Sequence, residues 1–240
     1  MSWEASKRPR IRIPPGPLHA LRRTKSISIP EIGNPDLAYE TGVHLGDGSL
    51  SRDYKYVISG NRVNETTYYK DVLTPLMKSL YSITPALEFQ NNSVYLRVYS
   101  KELALFKNGV LGLPLGRKLD LAMPGFTRVN RTRSANFLSG LYDTDGSFKT
   151  RHDGSGDYPR ISLGQKHERL VADVKEELGF HGISSTMYRN DYFDRRVGKV
   201  ETRWFLDVNG MDNLERYVDR IGTRSQYVEE RIRLVRKNCS

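Results

Sequence analysis

The chain has 240 residues, with 38 Lys+Arg against 28 Asp+Glu, a net charge of +10 and a pI near 9.6. Its 38% hydrophobic content excludes global disorder, and its single cysteine, Cys239, excludes an internal disulfide or a Cys-cluster zinc site. No apolar run approaches the ~20 residues of a membrane span, and so basic a balance points to a polyanionic partner, nucleic acid first.

Residues 1–30 carry Lys7, Arg8, Arg10, Arg12, Arg22, Arg23 and Lys25 against Glu4 alone, with Pro9, Pro14, Pro15 and Pro17 among them. The prolines favour extended backbone and forbid a helix. Two readings stand: a basic arm that lies along phosphates, or a solvated terminus. No apolar h-region follows the charges, so no secretory signal is expected and the expected location is cytoplasmic.

From Asn34 onward the chain reads as a duplicate. Residues 42–49 are GVHLGDGS and residues 140–147 are GLYDTDGS, so Asp47 and Asp145 stand 98 residues apart. After each motif the same order recurs. A strand ends in VISGN (57–61) or ISLGQ (161–165), and a helix ends at KSLYSI (78–83) or EELGFHGI (176–183). Two strands then follow, TPALEF (84–89) and SVYLRVYS (93–100), or SSTMYRNDYF (184–193) and KVETRWFLDV (199–208), and a helix closes each copy. The expected organisation is an arm (1–30), one unit (31–123), a linker PGFTRVNRTR (124–133) and a second unit (134–240), in an α+β fold.

Each motif is predicted to end a helix. Asn34 is a plausible N-cap before Pro35 and Asp36, Ser134 a plausible cap of the second helix, and Gly48 and Gly146 are stop signals. Asp47 and Asp145 then lie in a last turn, where the helix dipole is negative and a carboxylate is misplaced unless a cation compensates. Gly42 and Gly46, four apart, share one face, as do Gly140 and Thr144 in the second copy. Small residues there let two helix backbones approach. If the motif helices pack about a pseudo-twofold axis, Asp47 and Asp145 meet, and a divalent metal between them relieves their repulsion. Bulk at Gly42 or Gly140 is then expected to force the halves apart, and bulk at Gly60 or Gly109 to be milder. Asp143 faces Leu45 in the alignment of the copies and is therefore read as a helix-surface or packing residue.

Other motif chemistries find no support. DTDGS lacks the spacing of an EF-hand loop and of an aspartic-protease Asp-Thr-Gly. There is no GxxxxGK[ST], HExxH or GxSxG. His19, His44, His152, His167 and His181 share no ligand spacing, and His44 reads as helix packing.

The motifs LSGLYDTDG (138–146) and ETGVHLGDG (40–48) resemble the signature of the LAGLIDADG homing endonucleases, over roughly residues 34–240. The resemblance is to the monomeric two-motif members, especially archaeal intron-encoded ones. It implies two pseudo-symmetric αββαββα units, each with an antiparallel sheet, forming a DNA-binding saddle and joined by the packed motif-helix pair. It implies that Asp47 and Asp145 bind Mg²⁺, for which Mn²⁺ or Ca²⁺ can substitute in binding, with help from the carbonyls of Gly46 and Thr144. It further implies that Gln165, with Asn61 as its weaker counterpart, positions solvent. Lys118, in LPLGRKL, is implied to support the transition state, and Arg224, in IGTRSQY, is the basic residue of a second copy that has no Lys there. The implied activity is a metal-dependent double-strand break with short 3′ overhangs, in the service of intron mobility.

Strands can enter the major groove. Arg52, Lys55, Arg97, Lys149, Arg151, Arg160, Arg189 and Arg203 are expected to face DNA, and Arg195 and Arg196 to contact phosphate between two strands. Strands of ~8–10 residues per half would cover ~18–20 base pairs of an asymmetric site. The rival readings are an RNA maturase and a non-cleaving DNA-binding protein. A nuclease embedded in an intein is disfavoured, because residues 1–30 and 220–240 hold no splicing blocks.

Overall fold

The computed structural model describes residues 27–154, 156–195 and 198–239. The basic arm up to Ser26, and Arg196, lie outside the described residues. Among the described residues no helix is long and apolar enough to cross a membrane.

The first unit opens with α1 (Pro35–Gly46), begun as its sequence demands: the Asn34 side chain accepts from the Asp36 amide at 2.8 Å, and Pro35 occupies the first turn. Strands β1 (Gly48–Leu50) and β2 (Lys55–Asn61) lead into α2 (Arg62–Tyr68), a π-turn (Tyr69–Leu73) and α3 (Thr74–Tyr81). Pro75, in the first turn of α3, has no N–H to give the turn before it, and the helix widens just ahead of it. Then come β3 (Ala86–Gln90), β4 (Ser93–Tyr99) and α4 (Lys101–Leu105), the last running into a π-turn (Phe106–Val110). The second unit repeats the order with α5 (Arg131–Asp145), β5 (Gly146–Asp153), β6 (Gly156–Gln165), α6 (Glu168–Phe180), β7 (Thr186–Asp194), β8 (Lys199–Asn209) and α7 (Met211–Arg220). It adds α8 (Gln226–Asn238), which packs on β5 and reaches across to α2.

Each unit holds one four-stranded antiparallel sheet, ordered β1-β2-β4-β3 and β5-β6-β8-β7. Alternation sorts the side chains. Tyr56, Ile58, Val94, Leu96 and Val98 point from the first sheet into the core, as do Ile161, Leu163, Leu206 and Val208 from the second. The opposite face of each sheet is left open to polar side chains. The α+β class and the two-unit plan expected from the duplication are what the structure has.

The helix pair α1/α5 forms the main contact between the units, and it is made backbone on backbone. A Cβ on Gly42 would land on the Phe137 carbonyl oxygen and lie 2.8 Å from the Leu141 nitrogen. A Cβ on Gly140 would land on the Tyr39 carbonyl oxygen and lie 3.1 Å from the Val43 nitrogen. Residues 39 and 137, 42 and 140, and 43 and 141 are related by the 98-residue offset of the repeat. The contact is therefore isologous within one chain: each side meets the partner's copy of the surface that meets it. Gly46 faces Thr144, its own repeat mate, at the axis.

A large side chain at Gly42 must displace main chain rather than a rotamer, so Gly42→Leu is expected to reach or exceed the upper end of the ~1–3 kcal/mol typical of overpacking. Gly109 has nothing within 4 Å of its would-be Cβ, so Gly109→Leu should leave the melting temperature nearly unchanged. Comparable melting curves for the two variants would remove the helix axis from this description. Gly60, also expected to be milder than Gly42, is less open than Gly109: a Cβ there would strike the Glu65 carboxylate and approach the Tyr69 hydroxyl to 2.7 Å, side-chain atoms rather than main chain.

Two further expectations are corrected. Asn130, not Ser134, caps α5, its side chain accepting from the Arg133 amide at 2.9 Å. Ser134 is a fully buried residue whose hydroxyl donates to Glu177 at 2.5 Å. The helix thus starts inside the segment expected to be a linker. The rest of that segment holds a 3-10 turn (Gly125–Arg128), pinned to α6 by Arg128 through Asp173, Glu176 and Glu177.

Two buried polar knots fix the motif helices. Glu40 on α1 accepts from Tyr56 at 2.5 Å, from Tyr81 at 2.9 Å and from Lys107 at 2.6 Å, with both charged side chains wholly buried. Asp143 on α5, read as a helix-surface or packing residue, is buried, not at the surface, and accepts from the Tyr39 hydroxyl at 2.6 Å, from the Thr223 hydroxyl and from the Arg224 amide at 2.9 Å.

Candidate active site

The two motif helices end side by side. Asp145 is the last residue of α5 and Asp47 caps α1. Both are half-buried. A Cβ on Gly46 would sit 3.2 Å from the Asp145 carboxylate. Burial pushes the Asp47 carboxyl up to about 8; the nearby Asp145 and Glu65 carboxylates add to this, and the Lys118 ammonium opposes it. Burial also raises Asp145, against Lys118, the Gln165 hydrogen bond and Arg203.

The cation that the helix dipole calls for is partly supplied by the chain. Lys118 Nζ donates to the carbonyls of His44, Leu45 and Gly46 at 2.9, 2.8 and 2.8 Å. These are last-turn acceptors, of which only the His44 carbonyl also takes a main-chain donor, the Asp47 cap amide. Burial draws the Lys118 ammonium down to about 8, while Asp145 and Asp47 pull it back up. Lys118 is thus brought to both aspartates. Gln165, at the end of β6, donates its amide to Asp145. His44, wholly buried, stacks on Tyr56 with ring centroids 5.4 Å apart, a packing role as expected.

The remaining positions divide. Arg224 is a correction. Its guanidinium binds Asp36 at 2.8 Å and Asn136 at 2.5 Å and lies over the Tyr39 ring at 4.1 Å. Asp36 lies in the first turn of α1 and Asn136 nine residues before Asp145 on α5, so the Arg224 guanidinium ties the units together away from the aspartate ends of the helices. The second unit's cation that Asp145 feels is Arg203, whose Nε is buried without a hydrogen-bond partner and whose guanidinium lies 5.6 Å from the Tyr192 ring. Asn61 is also corrected. Its side chain caps α2, accepting from Val63 at 2.9 Å and Asn64 at 3.2 Å. Nor is Asn61 the counterpart of Gln165: Gly48 pairs with Ile58 and its repeat mate Gly146 with Leu163, so the residue two beyond, Gly60, stands where Gln165 does.

On the open sheet faces, register puts Lys55 and Arg97 together in the first unit and Lys149, Arg151 and Arg160 together in the second, with Arg203 on the same face six residues along β8 from the partner of Arg160. Arg52 lies in the exposed turn before β2 and Arg195 in the exposed turn after β7. Arg189 is a correction: it alternates with Tyr188 and Asn190, so it projects from the helix-bearing side of the sheet, paired to Asp191 at 2.7 Å. Counting basic residues alone missed Asp207, which is buried on the open face. It pairs with Arg160 at 3.2 Å and accepts from Ser162 at 2.6 Å and Tyr188 at 3.2 Å. Its place three positions after Trp204 in an alternating run was readable; its sign was unexpected on a basic face.

Chemically, the site offers two crowded half-buried carboxylates, adjacent main-chain carbonyls and flanking cations. Among the described residues no three His, Cys, Asp or Glu side chains are grouped to hold a metal. The all-oxygen set of two carboxylates and the carbonyls at the helix ends suits a hard divalent cation.

Comparison with known proteins agrees with this layout. Residues 133–222 match the family model of the LAGLIDADG-like domain. The alpha subunit of ribonucleoside-diphosphate reductase NrdEB from Bacillus subtilis (strain 168) is 25% identical over 173 residues, 67% of this chain but 16% of that protein. The same figures hold for its namesake from Bacillus phage SPbeta, so the chain spans about a sixth of the length of the curated relatives it matches. Among solved structures, mesophilic variants of the homing endonuclease I-DmoI superpose with a TM-score of 0.56 at 19% identity, over 80% of this chain and 97% of theirs. I-DmoI in complex with DNA and Ca gives 0.56 at 19% over 85% and 98%. Full-length DUF199/WhiA from Thermatoga maritima gives 0.52 at 16% over 89% and 67%. Residues of the second unit thus match the LAGLIDADG-like domain model, and the two described units with their motif-helix pair have the two-unit α+β fold of the I-DmoI structures.

Proposed function

We propose that this chain is a LAGLIDADG-family homing endonuclease: a monomeric, divalent-cation-dependent DNA endonuclease that makes a double-strand break with short 3′ overhangs and so promotes intron mobility. The observation that carries the reading is the pair Asp47/Asp145, one from each unit, held at the converging ends of a helix pair whose backbones touch. The DNA and divalent-metal complexes of the similarly folded I-DmoI support it.

Asp47 with the Gly46 carbonyl and Asp145 with the Thr144 carbonyl would hold divalent cations, Mg²⁺ in the cell, one toward each unit, and these would supply charge neutralisation at the phosphate and a more acidic water. Lys118, anchored on the end of α1, presents positive charge to the developing oxyanion, and Arg203 does so from the second unit. Gln165 orients solvent beside Asp145. The open sheet faces read duplex DNA in the major groove through Lys55, Arg97, Lys149, Arg151 and Arg160. With Arg52 and Arg195 on phosphates, they span an asymmetric target of ~20 base pairs.

The test is purified protein with Mg²⁺ on a randomised duplex library, with the cut ends sequenced. A single asymmetric consensus with short 3′ overhangs is expected. Selective retention of a duplex without cutting would favour a non-cleaving DNA-binding protein, and retention of structured RNA instead would favour a maturase.

A further inference from the structure

The two halves of the site differ in one place. In the second unit the position two beyond Leu163 is Gln165, whose amide donates to Asp145. In the first unit the same position is Gly60, which has no side chain to offer. The neighbouring Ser59 amide contacts the Asp47 carbonyl at 3.3 Å, so this part of β2 lies against Asp47 as β6 lies against Asp145.

The space over Gly60 is not empty. It is filled from α2 and the π-turn that follows by the Glu65 carboxylate and the Tyr69 hydroxyl. Glu65 Oε2 accepts from the Asn61 amide at 2.5 Å, which fixes the carboxylate over the strand end, and Oε1 has no hydrogen-bond partner among the described residues. Tyr69 is 1% exposed, and its hydroxyl is buried without a partner. An orphan hydroxyl of this kind is unfavourable unless a ligand or water completes it. The Asp47 carboxyl and the Tyr69 hydroxyl both feel the Glu65 charge.

We infer that Glu65 and Tyr69 complete the first unit's half of the site, filling opposite Asp47 the place that the Gln165 amide fills opposite Asp145, so that the half at Asp47 holds a divalent cation more tightly than the half at Asp145. The inference rests on the metal-dependent nuclease reading and adds to it an inequality between the halves. A carboxylate in place of an amide adds one negative charge beside Asp47. The Tyr69 hydroxyl, a donor and an acceptor, suits a water bridging Glu65 to the cation. The other half has the reverse balance, with a neutral donor on Asp145 and the Arg203 charge close by. The two DNA strands, one per half, are then served by chemically unequal halves.

Calorimetric titration of the free protein with Mn²⁺, without DNA, tests this apart from cleavage. The wild type should show one tighter and one weaker step. E65Q keeps a carbonyl oxygen for the Asn61 amide and should melt with the wild type. It should weaken the tighter step about 10-fold or more, as loss of a partner outside the direct ligands does. Y69F should weaken the same step by less, and D145N should leave it in place. An E65Q titration matching the wild type, with D47N abolishing the tighter step, would overturn the inference and leave the nuclease reading standing. Titrations unchanged in both D47N and D145N, or no Mn²⁺ bound by the wild type, would overturn the metal-site reading itself and this inference with it.

Discussion

Asp47→Asn and Asp145→Asn should each reduce double-strand cleavage by at least about 1,000-fold while leaving specific DNA binding within a few-fold of the wild type. Each substitution keeps the shape and a hydrogen-bonding oxygen, so the Gln165 contact to residue 145 survives, but it removes the charge that draws a cation to the helix ends. A single preorganised electrostatic group is commonly worth 10²–10³ in rate, and on the proposed metal-dependent mechanism the loss would also remove a cation's activation of water. Binding is spared because the reading side chains lie out along the sheets. Asp143→Asn is the discriminating control. Asp143 sits two residues back, on another side of α5, saturated by Tyr39, Thr223 and the Arg224 amide, so its substitution should lower the melting temperature while cleavage persists wherever the protein is folded. Gel assays of cleavage and of binding for the three variants decide it. Full cleavage by Asp47→Asn or Asp145→Asn would sink the two-carboxylate site.

Breaking the buried pair under α1 should cost about 3–5 kcal/mol from either side, and breaking both sides together should cost less than the sum. Glu40 and Lys107 have no exposed side-chain surface, so each depends on the other for compensation. Removing one partner strands a charge in the core, whereas replacing both with apolar residues of similar volume is often near neutral. The chain itself contains the apolar solution: 98 residues on from Glu40, the second unit has Leu138, wholly buried. Glu40→Leu alone leaves Lys107 and two tyrosine hydroxyls unpaired. Glu40→Leu with Lys107→Met leaves only the hydroxyls of Tyr56 and Tyr81. Urea unfolding of the two single variants and the double should give a coupling energy above about 2 kcal/mol. Strict additivity would mean that the pair acts as two independent residues.

The duplicated motif made most of the fold legible, because period and order can be read without any long-range contact. Each strand and helix expected from the repeat is present, and the glycine spacing on α1 and α5 foretold a contact that the backbone atoms make. What failed was what depends on a partner distant in sequence. Arg224 stands where a second supporting base belongs in chain order, but the loop before α8 turns it toward Asp36. Asn61 aligned with Gln165 by eye, yet a strand's register is set by its pairing, and Gly48 and Gly146 fix it one residue over. Arg189 satisfied a count of basic residues and failed on parity, which only the pairing of β7 with β8 reveals. Glu65 was unreadable as a site residue because, in sequence, a Glu near an Asn N-cap looks like helix capping, which is also what it does.

The contact at Gly42 and Gly140 is made with atoms that every amino acid possesses, and this has a consequence for recombining units. A main-chain interface transmits geometry but not identity: any two units with glycine at those places can adopt the same juxtaposition. Identity is written instead along the flank of the helix pair, where Arg224 bridges Asp36 and Asn136 and Tyr39 reaches Asp143. A chimera that joins either half to a half from another protein would inherit the correct separation of the two carboxylates from the glycines alone. Its fidelity of pairing, the preference for one half over a competing one, would have to be supplied by transplanting those five side chains with it.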